Sequence, residues 1–441
     1  MLFSSQRFMQ IKIPTPELGI GMFVADIDRP WIDTPFLFQG FLIENDEQLA
    51  QLNQYCKQVI VDPSRSTEPA KAAIASYANR IGADNPDSYA SKIFRPSDQD
   101  AAEPEEPDAR LSLIPANVKV TRFRNFIPVE AELAPAENAY ERTGAVLSNL
   151  IRDIRADKQL ALDEVEDVIQ DVVNSMVRNP DALMLVSRMR EQDEVIYGHG
   201  LNVAIYLVAL GRHLGLPKNL LERLGTLGLL LDIGKTRIPR ELLLKKERLT
   251  TEEFEIVKSH VRLGIDILKN TPDLHPDILQ AIAQHHERED GSGYPAGLVK
   301  AEIGLFGRMA SIVDSFSALT NPRPYADIIP AYDALQMLAN WGDKFYNASI
   351  VEQFIHAIGI FPVGSMVELS SGEVAVVVSH NKVRRLKPRV LIISGPDKSP
   401  SKNPGIFDLL YQKATEEDPI TILYGLPTGA YGLNPREYYV T

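Results

Sequence analysis

The stretch from His285 to Pro295 constrains this chain more than any other, because a helix must end within it. The apolar face of residues 278–284 predicts a helix that brings His285 and His286 to its carboxyl end. The glycines and the proline that follow cannot continue a helix, so the chain turns into a tight loop. Taken alone, the histidine pair fits either a metal site or simple complementation of the helix dipole.

Two further polar residues stand on apolar helix faces nearer the amino terminus. His199 opens a helix whose following apolar residues share its face, so the imidazole is directed toward the core. Asp232 ends the fully apolar run of residues 227–231. An unpaired carboxylate there would cost several kcal/mol, so it must be paired or bound to a metal. Lys235, three residues on, is one candidate partner.

Two more helices contribute polar side chains of the same kind. A capping box at Thr250 and Glu253 predicts a helix that carries His260 about two turns in, and Asp314 interrupts the apolar face of a later helix. The set therefore holds four imidazoles and two carboxylates: His199, Asp232, His260, His285, His286 and Asp314. It suits Fe, Mn, Zn or Ni, and six ligands exceed the need of one ion, which favours a dinuclear site. Two ions about 3.5–4 Å apart serve phosphoryl displacement.

Composition excludes several other classes of protein. The chain has 441 residues, of which 44% are hydrophobic and 24% charged, as in ordinary globular proteins with two or three domains. A net charge of −13 argues against sequence-independent nucleic-acid binding. The one cysteine, Cys56, excludes an intramolecular disulfide. No apolar run approaches the roughly 20 residues that span a bilayer, so we expect a cytoplasmic chain without membrane insertion.

Changes of pattern along the chain predict five segments. Alternating strands surround one amphipathic helix near the amino terminus, and an acidic tract among prolines and alanines then extends through self-repulsion. Helical periodicity follows and gives way to period two near the carboxyl end. The segments are an α+β module at 1–66, a linker and extended arm at 67–129, a helical connector at 130–190, the chemical domain at 191–359 and a small β module at 360–441.

The motifs resemble those of the HD-GYP family, a branch of the HD phosphohydrolases that hydrolyses the bacterial messenger cyclic di-GMP. The resemblance covers about residues 191–359 and rests on Asp232-Ile233-Gly234-Lys235, His260, His285 to Pro295, Asp314 and Arg323-Pro324-Tyr325. Residues 10–66 also resemble a small module of unknown function that often precedes this domain. The implied fold class is mainly α, a helical HD-type domain with a small α+β N-terminal module and a small β C-terminal module.

Roles for single residues follow from the resemblance by matching position. The six histidines and aspartates match the metal ligands, and Asp232 matches the residue that bridges two metal ions. Lys235 matches a lysine near the scissile phosphate. The remaining matches concern the substrate: the loop of Gly293, Tyr294 and Pro295 bounds its pocket, and Arg323 contacts it, with Arg308 a weaker candidate for the same contact.

The chain departs from the family pattern at one metal ligand. Leu231 stands where the family has the histidine of its histidine–aspartate doublet, so one of the two divalent ions, Fe, Mn or similar, loses a ligand. Ala326 and Ser317 also replace common basic and acidic residues. Two functions therefore stay open: slowed hydrolysis of cyclic di-GMP to pGpG or GMP, or an inactive cyclic di-GMP receptor or signalling adaptor. Residues 130–190 are antiparallel helices or a homodimer contact, and a signalling protein is the other expected partner.

Overall fold

The computed structural model describes residues 11–28, 41–82, 113–158, 160, 162–190, 195–321, 328–342, 344–381, 384, 386–412 and 419–438. It divides into two compact units, Met1–Glu106 and Pro107–Thr441. The acidic tract and Arg323-Pro324-Tyr325 lie outside the described residues.

The first unit is a four-stranded antiparallel sheet with two helices. Its strand order is β1-β4-β2-β3, and Ile13, Val24, Leu52 and Val61 are among its fully buried core residues. The elements are β1 Ile11–Pro14, β2 Phe23–Ile27, β3 Phe41–Leu42, α1 Asp46–Tyr55, β4 Gln58–Val61 and α2 Glu68–Gly82. The alternating burial of β4 explains why the sequence pattern predicted a strand there.

Helix α2 differs from the prediction, which placed these residues at the start of a solvated linker. Ala70 and Ile74 belong to the buried core of the first unit. Alanine-rich composition suggested an extended segment, but alanine is also the strongest helix former, and two buried positions one turn apart suffice to attach the helix to the sheet.

The second unit begins, within the described residues, with an irregular arm at 113–128 and three helices that pack on one another. They are α3 Val129–Arg155, α4 Asp163–Arg178 and α5 Pro180–Met189. Asn179 ends α4 and caps α5, because its side chain accepts a hydrogen bond from the Asp181 N–H at 3.1 Å. Arg178 donates two hydrogen bonds of 2.7 Å to the fully buried carboxylate of Glu132, which ties α3 to the end of α4.

Nine helices follow in the described part of the chain and carry the polar residues singled out above. They are α6 Val195–Leu214, α7 Lys218–Leu230, α8 Arg240–Leu243, α9 Thr251–Lys258, α10 His260–Leu268, α11 Pro276–Gln284, α12 Leu305–Thr320, α13 Ala331–Asn340 and α14 Ala348–Ile358. Helices α6 and α7 approach so closely that a Cβ on Gly228 would lie 2.4 Å from the Ala204 Cα. This contact requires glycine and fixes the end of α7 against α6.

One helix predicted as continuous is interrupted before the histidine it carries. The capping box at Thr250 starts α9 as predicted, but α9 ends at Lys258 and α10 begins at His260. Between them, the Ser259 hydroxyl donates to the Ile256 carbonyl at 2.6 Å. Such side-chain hydrogen bonds compete with the helix ladder, which accounts for the break.

The carboxyl end forms a five-stranded antiparallel sheet in the order β8-β7-β6-β5-β9. Its strands are β5 Met366–Leu369, β6 Val374–Ser379, β7 Arg389–Ser394, β8 Pro400–Asp408 and β9 Ile422–Leu426. The predicted fold class is confirmed: mainly α, with a small sheet near each end of the chain. Among the described helices, none combines the length and apolarity that a membrane span requires.

Candidate metal centre

Asp232 is the residue around which the site is arranged. It follows the buried end of α7 and is only 5% exposed. One carboxylate oxygen, Oδ2, accepts a hydrogen bond from the Lys235 ammonium. The other, Oδ1, is buried and has no hydrogen-bond partner. A buried carboxylate oxygen without a donor is costly, so this atom is suited to a cation.

The imidazoles of His260, His285 and His286 are grouped with this carboxylate, and the first two lie close to Oδ1. The Nε2 atoms of His260 and His285 lie 3.3 and 3.9 Å from Asp232 Oδ1 and 3.5 Å from each other. Each Nδ1–H donates to the carbonyl three residues earlier, that of Val257 at 2.7 Å and of Ile282 at 2.6 Å. With the proton on Nδ1, both Nε2 lone pairs point to the centre, as in ligating histidines.

The other side of Asp232 meets α6 and α12. His199 Nε2 lies 3.5 Å from Asp232 Oδ2 and 2.8 Å from Asp314 Oδ1. His286 Nδ1 lies 3.9 Å from Asp314 Oδ2, which links the two sides. The buried Ser317 hydroxyl, one turn after Asp314, lies 3.2 Å from His199 Nδ1 and orients that ring. All six predicted ligands therefore converge.

Burial and neighbouring charge set the protonation states of these groups. Burial alone would raise the pKa of Asp232, but Lys235 and the nearby imidazoles hold that pKa below its ordinary value. Burial alone would also raise the pKa of Asp314, but its hydrogen bond with His199 holds that pKa below its ordinary value. Burial lowers the pKa of His260 to about 4 and lowers the pKa values of His285 and His286 too. At neutral pH the carboxylates are charged and these three imidazoles neutral, which metal ligation requires.

The geometry separates the ligands into two groups that share Asp232. One group is Asp232, His260, His285 and His286, and the other is His199, Asp232 and Asp314; the ligand atoms within each lie within 4.8 Å of one another. Nitrogen and carboxylate oxygen donors without sulfur suit divalent ions such as Fe and Mn. The residues present therefore fit divalent metal binding.

Leu231 stands directly before the residue that the two groups share. The side chain is almost completely buried, at 1% exposure, and directly precedes the shared Asp232. A leucine offers no donor atom to either group. The group containing His199 has three candidate ligands, whereas the group containing His260 has four.

The glycine-rich loop lies against the histidine pair. The Tyr294 ring stacks on His286 with centroids 4.6 Å apart, and the Tyr294–Pro295 peptide is cis. A Cβ on Gly293 would lie 2.5 Å from the Glu287 Cα, so this close approach needs glycine. The loop therefore places an aromatic face at the edge of the metal centre.

Glu287 holds this loop and was not among the predicted site residues. Its buried carboxylate, in a residue 1% exposed, accepts hydrogen bonds from the Ala296 N–H at 2.7 Å and the Leu298 N–H at 2.9 Å. The sequence offered a signal, since a carboxylate directly after two ligands and before a tight turn is well placed to accept backbone amides.

The predicted cationic residues have different surroundings. The Lys235 ammonium forms an ion pair with the carboxylate of Asp232, as expected. Arg308 forms an ion pair with the buried Glu289, with Nε and Oε1 2.7 Å apart. Arg323 lies outside the described residues, so its contact with a ligand stays a prediction.

Comparison with known proteins identifies matching families along most of the chain. The HD domain matches residues 166–350, and a domain of unknown function, DUF3391, matches residues 10–165. The chain is 30% identical over 384 residues to a cyclic di-GMP phosphodiesterase of Pseudomonas aeruginosa, covering 86% of this chain and 84% of the relative. A cyclic di-GMP phosphodiesterase of Thermotoga maritima is 43% identical over 126 residues, which are 28% of this chain and 34% of the relative.

A third relative carries a different substrate in its name. A 3′3′-cGAMP-specific phosphodiesterase of Vibrio cholerae is 35% identical over 130 residues, covering 29% of this chain and 25% of that protein. The helical fold, the cluster of histidines and aspartates and the match to the HD domain together define an HD-domain protein. The chain belongs to the HD-GYP family of metal-dependent hydrolases, with a DUF3391 domain before the HD domain.

Proposed function

We propose that this protein hydrolyses cyclic di-GMP to pGpG or GMP at a dinuclear metal site. One observation carries the proposal: six candidate ligands from five segments of the chain converge beside a glycine-rich loop that places Tyr294 against the centre. The likeness to a cyclic di-GMP phosphodiesterase, which covers 84% of that protein, supports the choice of substrate.

The chain's own residues have distinct parts in this proposal. Asp232 is the shared ligand, and its contact with Lys235 keeps an ammonium group beside the place of the scissile phosphate. Positive charge there stabilises the negative charge that develops on phosphate oxygens. The Tyr294 loop bounds the pocket, and Arg323 contacts the nucleotide. When bound, two divalent ions supply Lewis acidity for an in-line phosphoryl displacement.

The two metal positions are proposed to differ in affinity. The four-ligand group binds its ion more tightly than the three-ligand group, because it offers one more donor and Leu231 adds none to either group. Turnover is therefore slowed at low metal concentration. The same residue favours a second candidate, a cyclic di-GMP receptor or adaptor that binds without turnover.

The deciding experiment incubates purified protein with cyclic di-GMP and Mn²⁺ or Fe²⁺ under reducing conditions. Product formation is followed by chromatography while metal per chain is measured on the same sample. We expect pGpG or GMP, with a rate that rises as the second metal position fills. Micromolar binding without turnover at saturating metal would instead establish the receptor.

A further inference from the structure

Helix α9 stands out because it exposes large apolar side chains next to the metal centre. None of its residues is buried, and Phe254 and Ile256 are 44% and 45% exposed. Its carboxyl end is tied to the centre, since the Val257 carbonyl accepts the Nδ1–H of the ligand His260. Phe254 is therefore not a core side chain, although the helix that carries it is fixed to a predicted metal ligand.

Phe254 continues an aromatic row that begins at the metal centre. Tyr294 stacks on His286, and Phe254 meets Tyr294 with ring centroids 6.3 Å apart and planes at 83°. The two outer rings therefore form a corner that is open on the Phe254 side, where nearly half of that residue is exposed. Aromatic faces exposed in this way are the surfaces on which nucleobases stack.

A cation lies at the same corner. Lys258 Nζ is 4.9 Å from the Phe254 ring centroid and 5.5 Å from that of Tyr294. It forms an ion pair with Glu255, and the side chains of Lys258 and Glu255 are 25% and 61% exposed. Because the carboxylate is largely in solvent, the pair contributes little, and an acceptor on a ligand can take the place of Glu255 at the ammonium. Guanine offers two adjacent acceptors, O6 and N7, whereas adenine has a donor where guanine has O6.

We propose that Phe254 and Lys258, together with Tyr294, form a base-binding subsite that stacks one purine of a cyclic dinucleotide and favours guanine. The inference rests on the proposed function, since it concerns the substrate of the same site. Phe254 supplies the stacking face, and Lys258 supplies the donor for the guanine acceptors. Neither residue is a metal ligand, so the subsite acts on substrate affinity and base preference.

The test uses the full-length, metal-loaded protein with cyclic di-GMP and cyclic di-AMP as substrates. Phe254→Leu, which keeps an apolar side chain but removes the ring, is expected to raise the KM for cyclic di-GMP roughly tenfold with kcat little changed. Phe254→Trp, which keeps an aromatic ring at this position, is expected to have a KM close to that of the wild type. Ile256→Ala, an equally exposed apolar position on the same helix, serves as the matched control and leaves the KM unchanged.

Lys258→Gln addresses base preference. It is expected to lower the ratio of kcat/KM for cyclic di-GMP over cyclic di-AMP severalfold, while metal per chain stays constant. The subsite is overturned if Phe254→Leu leaves the KM as in the wild type, if it lowers kcat alone, or if Lys258→Gln leaves the ratio unchanged.

Calorimetric titration of each variant with cyclic di-GMP separates this inference from the proposed function. If the wild type binds without turnover, hydrolysis is refuted, and a weaker affinity in Phe254→Leu than in Ile256→Ala still supports the subsite. If the two variants bind equally well, or the wild type does not bind, the subsite is refuted.

Discussion

Replacing Glu287 with glutamine tests whether its carboxylate holds the substrate-side loop. Glu287 accepts backbone N–H groups from Ala296 and Leu298, on the far side of the loop that carries Tyr294. A hydrogen bond to a charged acceptor contributes about 1.5–3 kcal/mol. Glutamine keeps one acceptor oxygen but turns an NH₂ group toward the second amide. We therefore expect the free energy of unfolding of the second unit to fall by about 2 kcal/mol.

Urea denaturation measures that loss, and steady-state kinetics measures its consequence for the pocket. The KM for cyclic di-GMP should rise because Tyr294 is less firmly placed, while metal per chain stays constant because Glu287 is not one of the predicted ligands. Glu302→Gln is the matched control: its exposed carboxylate accepts a single N–H from Val299 of the same loop, at 2.9 Å. Equal stability of wild type and Glu287→Gln, with the same KM, would refute the reasoning.

Three further perturbations address the metal centre. Leu231→His should raise metal per chain by adding a donor directly before the shared Asp232, and an unchanged metal content would contradict the ligand deficit inferred from the family pattern. Ser317→Ala should weaken metal affinity about 10–100-fold in chelator competition, with Ser315→Ala on the same helix as the control; equal affinities would exclude the orienting role. Because burial lowers the pKa of His260 to about 4, the unfolded chain binds more protons between about pH 6.5 and 4. Metal-free protein should therefore lose stability as pH falls through that range, and a urea midpoint equal at pH 7 and pH 5 would contradict it.

The sequence predicted which histidines and aspartates converge, because buried polar residues are conspicuous on apolar helices. Asp232 after a fully apolar run and Asp314 within another helix required a compensating partner, and spacing placed both on core-facing surfaces. The strands of the carboxyl-terminal module also followed from alternation, except β8. That strand is largely exposed, so it lacks the apolar period from which a strand is recognised.

Other parts of the site depend on contacts that no local pattern encodes. The position of Glu287 before a tight turn suits a carboxylate that accepts backbone amides, but only the fold of the loop identifies the Ala296 and Leu298 N–H groups as the donors. The contact between Phe254 on α9 and Tyr294 in the loop likewise needed the three-dimensional arrangement.

The most direct test of the account compares the wild type with Asp232→Asn for cyclic di-GMP turnover and metal content in one experiment. Asp232 belongs to both ligand groups, so its loss should remove metal from both. We predict that wild-type protein with Mn²⁺ or Fe²⁺ forms pGpG or GMP, and that Asp232→Asn forms neither and binds less metal. Wild-type protein that binds cyclic di-GMP but forms no product at saturating metal, or a variant that retains full activity, would contradict the account.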